Sequence, residues 1–343
     1  GVERVIKSPS GALYSVEGPV RMYRRDSLSL GEQGTVFTTQ IARAAMVSDG
    51  SLLMAVDGLG CVMGEPGSAD GITGLAEMDS TSGAIAHDGP NTFIAGRNGV
   101  WVFNAYAGSS GMTGPELISY PGALSGSPRA MDFNDLNLFV LVRNETSSQV
   151  VMFPRLSDGG LGEPITLITD EGTNGVLDDM DVSGASVYVS STDLLAVQRY
   201  DVVDGAAFYA DDLYLSDQTL TGSQQFLMDV DAGTLFMTVG STLEAIKLGD
   251  DVPSVCGTAS IDDTGANRIY GLRVFKGKAF VAVRGPIGQA VAVYDVQDPC
   301  ALTPEEVFLL PHGDPIEDLF IDDNWLIAAQ GPSGVRAFGR SCQ

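Results

Sequence analysis

Three aspartates recur at one position of a repeating pattern. Met131-Asp132, Met180-Asp181 and Met228-Asp229 each open a short apolar run, and Leu272-Arg273 fills the same place one repeat later. Carboxylates at one level of neighbouring elements converge if their side chains turn to a common side. Such an arc can hold Ca²⁺, a hard cation that prefers oxygen ligands, or a cationic or polyol ligand, with Arg273 pairing one carboxylate. Asp179 and Asp318 stand at the entrances of their own runs, near the same end. The competing reading has each Asp capping the backbone of its own turn, or solvated by water in a central channel. Charges shut between packed elements are costly without partners, so a channel-facing placement is expected.

Other reactive residues are few. The two histidines, His87 and His312, fall in turn or loop stretches with no Ser-His-Asp spacing and no G-x-S-x-G elbow. Two are too few for a multi-histidine metal centre. The cysteines are Cys61, Cys256, Cys300 and Cys342, with no CxxC or Cys/His cluster to read as a zinc site. No catalytic constellation emerges.

The elements that would position the aspartates form an internal repeat. One unit recurs eight times: an apolar run, a tight turn, a second apolar run, a Gly-rich link and a third run. Its anchors are Ile6, Met46, Ile85, Met131, Met180, Met228, Leu272 and Leu319, spaced 39 to 49 residues apart. That period matches a four-stranded blade of a β-propeller. The runs are short, rich in Val, Leu, Phe and Tyr, and bounded by Gly, Asp, Asn and Ser, the composition of strands and turns. A fold of all-β class is expected: a β-propeller with four-stranded antiparallel blades, eight in number, or seven if the short second unit is not a full blade. Residues 1–343 are read as a single propeller domain. A single twisted sheet cannot cover both of its apolar faces, whereas radial packing covers them.

In the fifth unit the strands are expected at Met180–Val182, Val187–Ser190 and Leu194–Tyr200, with a more polar fourth at Leu213–Leu215. Other fourth strands are expected at Glu116–Ser119, Ile165–Ile168, Ser254–Ile261 and Val307–Leu310. The last unit ends after its third run, so Gly1–Arg4 supplies its outer strand or the final blade has three. Tyr, Phe and Met are read as core.

Four cysteines allow three pairings. Cys256, Cys300 and Cys342 follow the third runs of consecutive units, 8, 6 and 4 residues beyond Leu248, Tyr294 and Phe338. Equivalent places on adjacent blades are close, so Cys256–Cys300 is the expected bond and Cys300–Cys342 the alternative. Cys61 lies inside a strand and reads as a buried thiol.

Composition narrows the partners. Hydrophobic residues make up 44% and charged residues 18%, a balance suited to a folded core. A net charge of −25 argues against nucleic acid and against docking on an anionic membrane. No apolar run approaches the ~20 residues of a membrane helix. The start at Gly1 rather than Met leads to the expectation that an upstream segment such as a signal peptide has been removed. With the acidity and the few cysteines, it suggests a secreted, periplasmic or cell-surface protein.

SPSGALYSV at Ser8–Val16 resembles the "sPDG-x-x-lYV" turn of lactonase-type, YVTN-related propellers, the family that includes 6-phosphogluconolactonase-like proteins. VRMYRRDSLSLGEQG at Val20–Gly34 is similar to that family's third strand and its turn into the fourth, and MFPRLSDGGLGEPITL at Met152–Leu167 looks like a second copy. The resemblance implies blade architecture along the whole chain, with seven blades as the family's usual count. The family includes sugar-lactone hydrolases and non-enzymatic secreted or surface proteins, and no catalytic motif of the family can be placed on residues here. Three functions follow as expectations: a binding or scaffold module for a protein or glycan, a lactonase-type hydrolase with metal or carboxylates at the channel, or a structural subunit of an extracellular assembly.

Overall fold

The computed structural model describes the backbone of the strands named below. Side chains are described for residues 84, 86, 91–103, 116–122, 124–144, 147–170, 177–191, 194, 196–213, 226–249, 253–261, 269–284 and 289–307. Among the described residues the chain forms eight antiparallel sheets in sequence order, seven of four strands and a last one of three. They span residues 4–37, 42–76, 82–119, 127–171, 177–215, 228–260, 268–310 and 316–339, one for each repeat of the sequence. Each four-stranded sheet is a meander in which a strand pairs only with its neighbours in the chain. The first and fourth strands are therefore edges. In the last sheet, strands Ile316–Ile321, Trp325–Gln330 and Gly334–Gly339 have no fourth among the described residues, and Arg4–Lys7 pairs with Leu13–Val16 of the first sheet. Residues 1–3 of the expected latch lie outside the described residues.

The chain divides into two compact units. One comprises Gly1–Pro128, Phe153–Pro164 and Gly313–Gln343; the other comprises Arg129–Met152 and Ile165–His312. The first holds sheets one, two, three and eight, and within it the first strand of sheet one adjoins strands of sheets two and eight. The second unit holds nearly all of sheets four to seven and carries the candidate site.

Within the second unit the sheets pack face to face. The second strands Asn137–Arg143 and Thr234–Val239 are buried on both faces, which is why NLFVLVR and TLFMTV are apolar without alternation. Phe139, Leu141 and Met152 of sheet four meet Met180, Val187 and Val189 of sheet five. Tyr188 and Val197 of sheet five meet Met228, Leu235 and Met237 of sheet six. Phe236 and Leu243 meet Leu272, Val281 and Tyr294 between sheets six and seven. Each interface draws on one face of each strand set, so three layers of core are made by four sheets.

Turn chemistry fixes the register. Asp204-Gly205, Ala232-Gly233 and Lys276-Gly277 all have positive φ, the two-residue hairpin turn whose twist matches the strands. Gly277 also needs its missing Cβ, which would lie 2.6 Å from Gln297 Cγ.

Candidate functional site

The aspartate row is built by equivalent register. Asp181 pairs across its sheet with Tyr188, Asp229 with Phe236 and Arg273 with Phe280, so each sits on a first strand opposite an aromatic residue of the second. Asp132 occupies the matching place in the strand Ser127–Phe133. The structure thus brings together Asp132, Asp181, Asp229, Arg273 and also Asp179. Asp318 lies on the first strand of the eighth sheet, Ile316–Ile321, and its side chain lies outside those described, as do those of His87, His312, Cys61 and Cys342.

The carboxylates reach to the next sheet. Asp132 Oδ2 accepts the backbone N–H of Val182 at 2.8 Å, Asp181 Oδ2 that of Val230 at 2.5 Å, and Asp229 Oδ2 that of Val274 at 2.7 Å. In each case the donor immediately follows the residue equivalent to the acceptor, one sheet onward. A second rung joins sheets five and six, where Asp179 Oδ2 accepts from Met228 N–H at 3.1 Å. The other oxygens turn back to their own chain: Asp132 Oδ1 accepts from Phe133, Asp179 Oδ1 from Met180 and Asp181 Oδ1 from Val182. The physical need is plain. A first strand is a sheet edge, so alternate N–H groups have no partner in their own ladder, and burial against the preceding sheet removes water as a substitute. An Asp on that preceding sheet supplies the acceptor. Asp132, Asp179 and Asp181 thus each take one N–H of their own strand and one of the next sheet.

Burial and crowding raise the carboxyls of the row. Asp181 is pushed well above the usual carboxylate range by burial, then by the charges of Asp229 and Asp132, with a side-chain contact to Asp132; the Val230 N–H pulls the other way. Asp229 is raised by burial and drawn back by the Arg273 guanidinium, the Val274 N–H and a hydrogen bond with Asp181. Asp179 is raised to about 6 by burial, again opposed by Arg273. Like charges in contact oppose joint ionisation, so the neighbouring carboxylates add to burial in raising Asp181. Among the described residues no group of three or more His, Cys, Asp or Glu is arranged to hold a metal ion.

The cysteine expectation has a direct counterpart. Cys256 and Cys300 are joined, with their Cα atoms 4.7 Å apart across a separation of 44 residues. Cys256 is the second residue of the fourth strand of sheet six, Val255–Ser260, and Cys300 follows the third strand of sheet seven. Gly257 permits the approach, because a Cβ there would lie 2.0 Å from the carbonyl oxygen of Pro299. Asp298 shapes the loop by accepting the N–H of Cys300 at 3.0 Å.

A second candidate region was not foreseen. The fourth strand of sheet five begins at Ala206 rather than Leu213 and runs to Leu215, making a long hairpin with Ala196–Val203. Two aromatic residues expected in the core are instead exposed there: Phe208 at 57% and Tyr209 at 54%, beside Val203 at 53%. Register places Phe208 opposite Asp201 on one face and Tyr209 opposite Tyr200 on the other, where the two rings meet edge to face at 5.7 Å. The Tyr200 face looks toward sheet four, since Tyr200, Val202 and Ala207 pack on the Phe139–Met180 core. Desolvation and the charges of Asp170 and Asp212 raise the Tyr200 hydroxyl. On the opposite face Arg199 bridges to Asp211 at 3.1 Å. In the other unit, a groove of about 480 Å³ is lined by Glu116, Leu117, Leu161 and Glu163 among others. Among the described residues no helix is long and apolar enough to cross a membrane.

No family model matches the chain, and no curated protein matches it in sequence. Solved structures do. Sqt1 of Saccharomyces cerevisiae superposes with a TM-score of 0.70 at 10% identity, over 99% of this chain and 96% of that one. A putative 6-phosphogluconolactonase from Bacteroides fragilis gives 0.57 at 13% identity, over 83% and 88%. The WD40 β-propeller domain of Doa1 gives 0.51 at 14%, over 99% and 93%. At these identities the likeness establishes the fold alone: the chain is a β-propeller, and its resemblance to 6-phosphogluconolactonase-like proteins holds at the level of fold.

Proposed function

We propose that this propeller is a binding module for a protein partner, acting outside the cytoplasm as a secreted, periplasmic or cell-surface protein. The observation that carries the reading is the β-hairpin of sheet five, where Val203 and Phe208 stand more than half exposed together. Large apolar groups clustered on a solvated edge mark interaction surfaces. The aspartate row supports the same reading from the other side. Each of its carboxylates already accepts a backbone N–H from the neighbouring sheet, which is a task of cohesion. The Cys256–Cys300 pair supports an oxidising compartment.

Photo-cross-linking tests the reading. With benzoylphenylalanine at position 208, irradiation in extracts of the source organism should give a light-dependent adduct with one discrete protein. That protein, purified, should bind the wild type and not Phe208→Ser. Absence of an adduct above background overturns the proposal. So does turnover of a lactone panel that Asp181→Asn abolishes, which would establish the hydrolase instead.

A further inference from the structure

The two faces of the sheet-five hairpin differ in charge as well as in shape. On the face turned toward sheet four, Tyr209 is more than half exposed over Tyr200, and Ile165, at the start of sheet four's edge strand, is 40% exposed. The two edge strands adjoin, and a Cβ on Gly205 at the hairpin tip would lie 3.4 Å from Ile165 Cδ1. These residues make an apolar strip between the edge strands Ile165–Glu171 and Ala206–Leu215. Its charged groups include Asp170 and Asp212, both near enough to Tyr200 to act on its hydroxyl; Tyr209 hydrogen-bonds Asp212, and the charge of Asp211 also reaches Tyr209. Neither edge strand contains a Lys or Arg. Arg199 belongs to the opposite face, opposite Asp211 in register.

The shape of the edge decides how an occupant would sit. The pairing of Ala206–Leu215 with Ala196–Val203 is broken twice, between Val197 and Gln198 and between Arg199 and Tyr200. Bulges of this kind spoil an edge for the addition of another strand through its backbone. Side chains must therefore do the recognising. Exposed tyrosine rings attract a guanidinium over their faces, and carboxylates beside them take its N–H groups. An aliphatic neighbour would cover Ile165.

We infer that this strip binds an extended segment of a partner protein in which arginine and an aliphatic residue stand two positions apart, on the same side of the segment. The inference rests on the protein-binding reading and adds a contact of stated chemistry on the face of the hairpin opposite Phe208. Tyr200 and Tyr209 supply the platform, Asp170 and Asp212 the charge, and Ile165 the apolar floor.

The probe is a fluorescein-labelled decapeptide with Arg and Leu taking turns at every second position and Ser between them, titrated with the intact protein by fluorescence anisotropy at low salt and at 300 mM, where the Debye length is about 6 Å. A chain of net charge −25 attracts any cationic peptide, so the controls carry the test. Tyr209→Ser, and separately Asp170→Asn with Asp212→Asn, should each weaken binding by about tenfold. Glu116→Gln with Glu163→Gln removes the same two charges from the groove of the other unit and should change binding less than about twofold. Equal losses in the two double variants overturn the inference, because net charge alone would then be binding the peptide. So does equal binding of a Gln–Leu decapeptide, which removes the cationic occupant and leaves the protein-binding reading intact. If no peptide binds while the position-208 adduct persists, this strip is wrong and the module is right; circular dichroism of each variant confirms that the fold is kept.

Discussion

Sheets five to seven are tied to their neighbours in different ways at their first strands and at their edges. At the first strands, Asp179, Asp181 and Asp229 hand an oxygen to a backbone N–H of the next sheet, and the bonds lie in a crowded, partly dehydrated row. At the outer edge, sheets six and seven are joined covalently through Cys256 and Cys300, while aspartates such as Asp212 meet Gln198 in solvent. The same residue type does unlike work in the two places. An enclosed carboxylate is retained because its absence would orphan an amide, whereas an exposed one contributes little to folding and is free to serve recognition.

The covalent tie should show the largest effect. Cys256→Ser with Cys300→Ser opens a loop of 44 residues, which in the chain-entropy account costs about 4 kcal/mol. Denaturant unfolding of the variant and the wild type should show the loss as a lower midpoint, and non-reducing peptide mapping should find the Cys256–Cys300 peptide in the wild type. A loss under about 1 kcal/mol would place the first-strand row above the covalent tie and reverse the comparison.

Within the row the aspartates should rank. Asp229→Ala strips Val274 of its acceptor and should cost about 1–3 kcal/mol, the price of a dehydrated amide left unpaired. Asp132→Ala should cost less, because the Val182 N–H it leaves also reaches Asp181 Oδ1 at 2.7 Å. Equal losses from the two would mean that the carboxylates act through charge rather than as acceptors.

Titration sharpens the same contrast. Asp179 in the fold titrates at about 6, above the ordinary 3.8, so between those values the folded chain holds a proton that the unfolded chain has released. Its contribution to stability is therefore present at pH 4, fades as pH rises, and is gone above about pH 6. Asp179→Asn removes that slope. The variant should gain on the wild type between pH 4 and pH 7 in denaturant unfolding, and parallel curves would show that the carboxyl is not held above its ordinary range.

Much of this was legible in the chain. The spacing of the anchors marks one sheet per repeat, and the recurrence of Met-Asp puts Asp132, Asp181 and Asp229 at equivalent places with Arg273 beyond them. The position of Cys256 and Cys300 after consecutive third strands made theirs the expected bond, with Cys300–Cys342 the alternative. The direction of the carboxylates was not legible, since a strand pattern gives the level of a residue and leaves its χ1 open. Their partners are backbone amides of Val182, Val230 and Val274, which no side-chain motif announces. The sheet-five edge escaped for a different reason. Asp211, Asp212 and the two breaks in register interrupt alternation, so AAFY at Ala206–Tyr209 does not read as part of the strand ending at Leu215. Its aromatics then look like core, whereas both stand more than half exposed.

The smallest expected effect concerns that edge. Phe208→Ser and Asp212→Asn should each alter unfolding free energy by no more than about 0.5 kcal/mol, the usual range for surface positions. Phe208 is more than half exposed, and the bond from Gln198 to Asp212 lies in solvent at 3.1 Å. Stability held constant while the position-208 partner is lost would separate recognition from folding on this hairpin. A loss above about 1.5 kcal/mol for Phe208→Ser would instead make the ring a packing residue, and the edge would join the first strands as a device of cohesion.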